Sequence, residues 1–365
     1  MSDSSAPSRS SRQVIPWWKQ RPALLGGGAL VVILAIIGVA LAVSGGGGDD
    51  EESAPTSAGE TTTTSPPPTA PLTGRPDPSG VTATRAALSA KIANNDDARP
   101  QQGLEQADVV YEEEVEGRIT RFLAVFHSQS PEAFGPIRSV RRVDPDIVWP
   151  IKGLFAYSGG VAQNVSLIRD APVQSFDETE AGDAMFLDRS FSDGKRPNIL
   201  FGRPEAFWER AEDRTPPAPL FTYLEEGEEF GGDPVSEVTV PVGAGEFHPT
   251  WRWDDAVGGW LRYQEGEPFM TRGGAHLGTD ILFVQFVPGG GAETEVIGEG
   301  DAAVLAQGQI VRGRWIREDR ESRTRFVTAG GTEIAVPPGR AWVHLPMAGG
   351  ELEIVAPTPA TTAAP

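Results

Sequence analysis

Ten short runs of alternating side chains fill residues 220–356, and they constrain the fold more than any other feature of the chain. SEVTVPV, EFHPTWRWD, GWLRYQ, DILFVQFVP, ETEVIG, AAVLAQ, QIVRGRWIRE, RTRFVTA, TEIAVP and AWVHLP are separated by Gly, Pro or Asp turns. Period-2 runs at this spacing predict antiparallel strands in a barrel or sandwich. Trp251 and Trp253 are two residues apart and share a strand face, and Trp260 comes after them across a turn. They are expected in the core, as large hydrophobes, with a sugar-stacking platform as the alternative.

Residues 72–214 mix strand and helix signals. DVVYEEEV (108–115) and RITRFLAVFH (118–127) flank Glu116-Gly117 as a hairpin. GPIRSVRRVDPDIV (135–148) begins like a helix, with Pro136 at its first position. LFAY (154–157) reads as a buried strand, followed by Ser158-Gly159-Gly160 and a helical VAQNVSLIRD, and PEAFWERAEDR (204–214) reads as a further helix. The fold class expected is therefore mixed α+β. An N-terminal transmembrane helix leads to an α/β sandwich domain over 72–214, and TPPAP (215–219) separates that from an all-β barrel or sandwich over 220–356.

The transmembrane expectation comes from residues 23–43, an uncharged run of 21 residues. As a helix it would reach about 31 Å, the hydrocarbon thickness of a bilayer. Arg9, Arg12, Lys19 and Arg21 precede it and Asp49 to Glu52 come after it. That bias places the tail 1–22 in the cytoplasm and the bulk of the chain outside a plasma membrane crossed once. Ala40-Leu41-Ala42 offers the alternative of a cleaved signal peptide. Residues 44–71, rich in Gly, Thr, Pro and acid, are expected to form a disordered tether, and 357–365 a disordered tail.

Charge and composition exclude several functions. A net charge of −20 argues against a nucleic-acid partner. With no cysteine and four scattered histidines, no metal site and no cofactor are expected. GEGDAA (298–303) matches dinucleotide-type glycine spacing except for its last alanine, but the residues after it read as strand rather than helix.

Arginine placement is the chemical signal. Residues 72–214 hold 17 basic and 23 acidic residues, against 10 and 22 in 215–356, so the basic side chains favour the first part. Arg138, Arg141 and Arg142 would share one face at the start of the expected helix, where cations oppose the dipole unless an anion is bound. Arg121 on the preceding strand and Ser158, Gly159 and Gly160 could converge there. Arg189 and Arg196, with Asp188 and Asn198, form a second charged loop. The candidate anion-binding set is Arg121, Arg138, Arg141, Arg142, Ser158, Gly159, Gly160, Arg189 and Arg196, with Glu112 and Asp188 as candidate carboxylates. The competing reading pairs these arginines with abundant carboxylates such as Glu112, Glu114 and Glu116.

ARPQQGLEQADVVYEEEVEGRITRFLAVFHS, GPIRSVRRVD and FAYSGG, with GEGDAAVLAQGQIVRGRWIRE and FVTAGGTEIAVPPGRAWVHLP further on, resemble the YerB-like lipoprotein family (domain of unknown function 3048) over roughly residues 72–347. The resemblance implies a cell-envelope protein without an assigned activity. The chain departs from the family in having no anchoring cysteine, and in reading Pro197-Asn198 where a histidine is typical. Two functions are expected. One is an envelope module binding an anionic ligand, a cell-wall glycan, a phosphate-bearing ligand or an envelope protein. The other is an enzyme acting on a phosphoryl-linked wall substrate, with Glu112 or Asp188 as base.

Overall fold

The computed structural model describes residues 68–245 and 248–358. Glu116 and Gly117 turn the chain between β2 (Val109–Glu114) and β3 (Thr120–Phe126), which pair antiparallel as the sequence predicts. β1 (Leu88–Ala93) lies antiparallel on the other side of β3, and β4 (Gly153–Ala156) and β5 (Val173–Phe176) extend the sheet in parallel. A small hairpin comes next, of β6 (Met185–Leu187) and β7 (Leu200–Gly202). The short helices of this half are α1 (Asp144–Val148), α2 (Ala162–Arg169), α3 (Glu178–Ala181) and α4 (Pro204–Glu209).

The second half supplies β8 (Asp233–Pro234), β9 (Glu237–Thr239), β10 (Thr250–Asp254), β11 (Gly259–Gln264), β12 (Glu267–Pro268) and β13 (Gly278–Thr279). It continues with β14 (Ile281–Gln285), β15 (Gly298–Ala306), β16 (Gln309–Arg317), β17 (Arg325–Val327), β18 (Ala341–Leu345) and β19 (Glu353–Val355). β15 and β16 form the longest hairpin, turning at Gln307 and Gly308 with φ of 51° and 68°. Positive φ at both turn residues matches the right-handed twist of the strands.

These strands do not make a separate barrel. The order β17-β16-β15-β14-β18-β2-β3-β1-β4-β5, with β8 on β16, is one 11-stranded mixed sheet. The two halves of the chain join where β18 runs parallel to β2. A second sheet, β12-β11-β10-β9-β19 with β13 on β11, covers one face. There Ile92, Val110, Phe122 and Trp342 share a core with Val238, Trp251 and Trp260. On the opposite face Val109, Leu123, Phe155 and Val343 pack with Ile147 and Val148 of α1, Ile168 of α2, and Leu220 and Phe221. Alternation along β2 and β3 feeds both cores, because successive side chains point to opposite faces.

The expected fold class is corrected on three counts. An α/β sandwich followed by its own all-β unit would leave the edges of two sheets to be capped. The chain instead pairs β18 with β2 and buries both segments in one sheet, and helices are few and short. Residues 135–141 are not helical, and the chain around Ile137 is strand-like: Ile137 bridges Ile92, and the Ile137, Arg138 and Val140 amides donate to Leu200, Lys91 and Gly159 carbonyls. With those donors committed to strand-like partners, helix begins only at Asp144. Finally, among the described residues no helix is long and apolar enough to cross a membrane, and the segment expected to do so, 23–43, lies outside them. Most of the tether read over 44–71 also lies outside, but Ala70 is 2% exposed and belongs to the fold. GEGDAA opens β15 and has no helix after it.

Candidate functional site

Two adjacent glutamates on β2 enter opposite cores. Glu112 faces the second sheet, where Arg262 on β11 binds it with both guanidinium ends at 2.7 and 2.9 Å. The Thr120 hydroxyl donates to it at 2.9 Å and the Trp342 indole at 3.0 Å. His344 Nδ1 stands 3.2 Å away, and Trp251 Nε1 donates to His344 Nε2 at 2.8 Å. That indole bond makes Nε2 an acceptor, so the proton of the neutral ring sits on Nδ1, toward Glu112. Phe122, Trp251, Phe269 and Trp342 surround the Arg262 guanidinium at 4.9–5.5 Å. Burial acts to raise the Glu112 carboxyl, yet Arg262 and His344 hold it far below the usual range. Burial likewise pushes the His344 imidazole down, against the pull of Glu112. Glu112, Arg262 and His344 are fully enclosed. This is a charged clamp enclosed between the sheets.

Glu113 faces the other way. It shares Lys91 of β1 with Asp144 at the start of α1; the Lys91–Asp144 contact is 2.7 Å, and the Lys91–Glu113 pair is closer still. All three are at most 1% exposed. The other Asp144 oxygen accepts the Arg141 amide at 2.6 Å, and Arg138 N donates to the Lys91 carbonyl. The triad therefore fixes the backbone of the GPIRSVRR segment against β1. Burial and the neighbouring Asp144 push the Glu113 carboxyl up to about 7, against the pull of Lys91 and Arg121.

Over this triad the arginines gather. Arg121 is the cross-strand partner of Glu113. Arg121 and Arg141 both donate to the Ser139 carbonyl, at 2.9 and 3.3 Å. Burial, then Arg141 and Arg138, push Arg121 down to about 10; burial and Arg141 likewise lower Arg138. Arg141 pairs with Glu116 at 2.8 Å. Burial works to raise Glu116, but the Arg141 hydrogen bond and Arg121 hold it low. Arg121, 5% exposed, and half-buried Arg138 make no ion pair among the described residues, and Arg138 Nε is buried without a hydrogen-bond partner.

The structure thus gathers Arg121, Arg138 and Arg141, although from a segment that is not helical. Ser158 and Gly159 flank them, through the Ser158 amide on the Arg138 carbonyl and the Gly159 carbonyl on the Val140 amide. Gly160 packs close, since a Cβ there would come within 2.8 Å of Val140. Arg142 is exposed, and the two acids nearest it in sequence are engaged elsewhere, Asp144 with Lys91 and Asp146 with Arg320. Arg196 pairs with Glu178 through both nitrogens, Arg189 is exposed, and Asp188 binds Arg272 at 2.6 Å. Asp188 lines a different cleft of about 590 Å³ with Gln102, Glu105, Glu132, Arg203 and Arg272. Among the described residues no group of His, Asp and Glu side chains could hold a metal ion.

Sequence reasoning missed Lys91, Glu113, Asp144, Arg262 and His344. The available signal was three consecutive glutamates (112–114) in a strand that opens with Val109 and Val110. Strand alternation requires that residues 112 and 113 enter opposite faces, so at least one must be buried and need a cation.

Fold and site together define a β-rich protein built on two packed sheets, with its buried charge concentrated at the β2–β3 hairpin. The chain belongs to the DUF3048 family: residues 72–217 match "Protein of unknown function (DUF3048) N-terminal domain" and residues 238–343 match "Protein of unknown function (DUF3048) C-terminal domain". It is 43% identical over 90 residues to "Putative lipoprotein YerB" of Bacillus subtilis, a stretch that spans only 25% of this chain and 27% of that protein. The crystal structure of YerB from Bacillus subtilis is similar in fold, with a TM-score of 0.68 over 79% of this chain and 99% of that one, at 20% identity.

Proposed function

We propose that this protein is an extracytoplasmic cell-envelope module that binds a phosphate-bearing or similar anionic ligand through Arg121, Arg138 and Arg141. One observation carries the reading: Arg121 is almost enclosed and Arg138 half-buried, yet among the described residues neither makes an ion pair, in a chain with 20 more acids than bases. Burying a charge without a counter-ion costs several kcal/mol, and a bound anion is the group that would offset it. The envelope assignment rests on the lipoprotein name of the Bacillus relative and on the Gly, Thr and Pro composition of residues 44–67.

Binding is favoured over catalysis on phosphoryl groups because neither expected base is free to act there. Glu112 is on the far face of the sheet under Arg262, and Asp188 belongs to another cleft. Titration of the full chain with inorganic phosphate at low salt tests the reading. Arg121→Ala and Arg138→Ala are each expected to weaken binding by about 1.5–3 kcal/mol, the range for a hydrogen bond to a charged group. Unchanged affinity in both variants would return these arginines to a structural role.

A further inference from the structure

We infer that the arginine cluster takes up an oxyanion together with one proton, which Glu113 holds. The inference rests on the anion-binding reading and adds a residue and a ligand chemistry to it.

Lys91 is one cation between two carboxylates, and none of the three is more than 1% exposed. The two carboxylates differ in how well their oxygens are satisfied. Asp144 places one oxygen on Lys91 and the other on the Arg141 amide. Glu113 places one oxygen on Lys91, and the other, Oε2, is buried with no hydrogen-bond partner among the described residues. A carboxylate with an unpartnered buried oxygen is the poorer place for a full negative charge, so the excess proton of the triad belongs on Glu113.

The groups that face Glu113 determine what would change that occupancy. Lys91 approaches from β1, Arg121 from β3 and Asp144 from α1, while Arg138 and Arg141, in the segment before α1, act on Arg121. Its register partner on β18 is the uncharged Leu345, and Tyr111, on the same face of β2, stays neutral because burial pushes its hydroxyl up to about 12. Arg121 is therefore the cation that favours ionised Glu113 while making no ion pair of its own among the described residues. An anion on Arg121 cancels part of that support and raises the proton affinity of Glu113. Linkage makes the effect reciprocal: a protonated Glu113 removes a negative charge from behind the arginines, one that would repel the anion, and so tightens its binding.

Arg121, Arg138 and Arg141 are grouped closely enough for their charges to act on one another, and such a group suits a compact oxyanion with several acceptor oxygens, a phosphate or sulfate type, better than a single carboxylate. Sulfate is the cleaner probe because it neither gains nor loses a proton near neutrality.

The experiment is calorimetric titration of the full chain with sulfate and with inorganic phosphate. Sulfate affinity should fall about fivefold or more between about pH 5.5 and about pH 8.5, the low end of ordinary coupling between two sites. Titration near neutrality in two buffers of different ionisation heat should show net proton uptake on binding. In Glu113→Gln, both the pH dependence and the proton uptake should disappear while binding persists. If that variant does not fold, the two-buffer measurement on the parent decides alone. Sulfate binding that is flat with pH, needs Arg138 and takes up no proton would overturn the coupling and leave the anion site standing. Absence of both sulfate and phosphate binding at every pH would overturn the anion site and the coupling with it.

Discussion

Glu112 and Glu113 are consecutive residues of one strand that lie on opposite faces of the central sheet, each inside its own buried ion network. Glu112 meets a bidentate arginine and two further donors, with the His344 ring beside it, so its charge is fixed. Glu113 shares one lysine with a second carboxylate, so its charge depends on what stands nearby. One strand thereby supplies a rigid clamp to the inter-sheet core and an adjustable charge to the face carrying the arginines.

The clamp predicts a large asymmetry between breaking and replacing the Glu112–Arg262 pair. Arg262→Ala leaves an enclosed carboxylate unpaired and should cost about 3–5 kcal/mol in urea unfolding. The double variant Glu112→Gln, Arg262→Met removes both charges and should recover a substantial part of that loss. Equal destabilisation by the single and double variants would show that packing of the Arg262 stem, and not charge pairing, is what matters.

Trp251→Phe tests the imidazole tautomer. The ring volume is largely kept, but His344 Nε2 loses its donor, and an enclosed acceptor left unsatisfied costs about 1–3 kcal/mol. The same substitution should free the His344 ring to adopt its other tautomer, visible as a shift of its nitrogen resonances. A variant as stable as the parent, with unshifted resonances, would contradict the network.

Arg138→Met separates function from stability. In the absence of anions this variant should be as stable as the parent or slightly more so, because an unpaired, partly buried cation is replaced by an apolar side chain. Addition of phosphate should raise the thermal midpoint of the parent but not that of the variant. Equal stabilisation of both proteins by phosphate would place the anion elsewhere.

The pH dependence of stability has opposing contributions. Glu113 has a raised folded-state pKa, so its contribution is full below about 4.5, the unfolded value, and is lost as pH rises through about 7. His127 has the opposite sign: burial lowers it from 6.5 to about 4, so its contribution is full above 6.5 and is lost as pH falls toward 4. The difference between parent and Glu113→Gln isolates the first. The variant should gain on the parent by a few kcal/mol as pH rises from about 4.5 to about 7, on the order of 1.4 kcal/mol for each pH unit crossed. A difference that stays constant across that window would remove Glu113 from the titrating groups.

Much of the local structure was legible because it obeys short-range rules. The β2–β3 hairpin, the strand at 154–157, the helix after Gly160 and the β-rich second half are period and turn signals. The joining of the two halves was not legible, since Glu112 of β2 and Trp342 of β18 are 230 residues apart in sequence and nothing local specifies the pairing of their strands. The 135–141 segment reads as helix because Pro136 and the spacing of the arginines imitate a helix start, while its true partners, Lys91, Gly159 and Leu200, are distant. The expectation that Arg121, Arg138 and Arg141 line one site was reached through a helix that the structure does not have. The strand pairing that aims them would have required knowing that Glu113, and not Glu112, shares their face.

The most direct test of anion binding is calorimetric titration of the full chain with inorganic phosphate at low ionic strength and slightly acidic pH, beside the double variant Arg121→Ala, Arg138→Ala. Saturable binding of one phosphate per chain, lost in the double variant while its unfolding transition is retained, is the expected result. No saturable binding to the parent, or undiminished binding to the double variant, would contradict it.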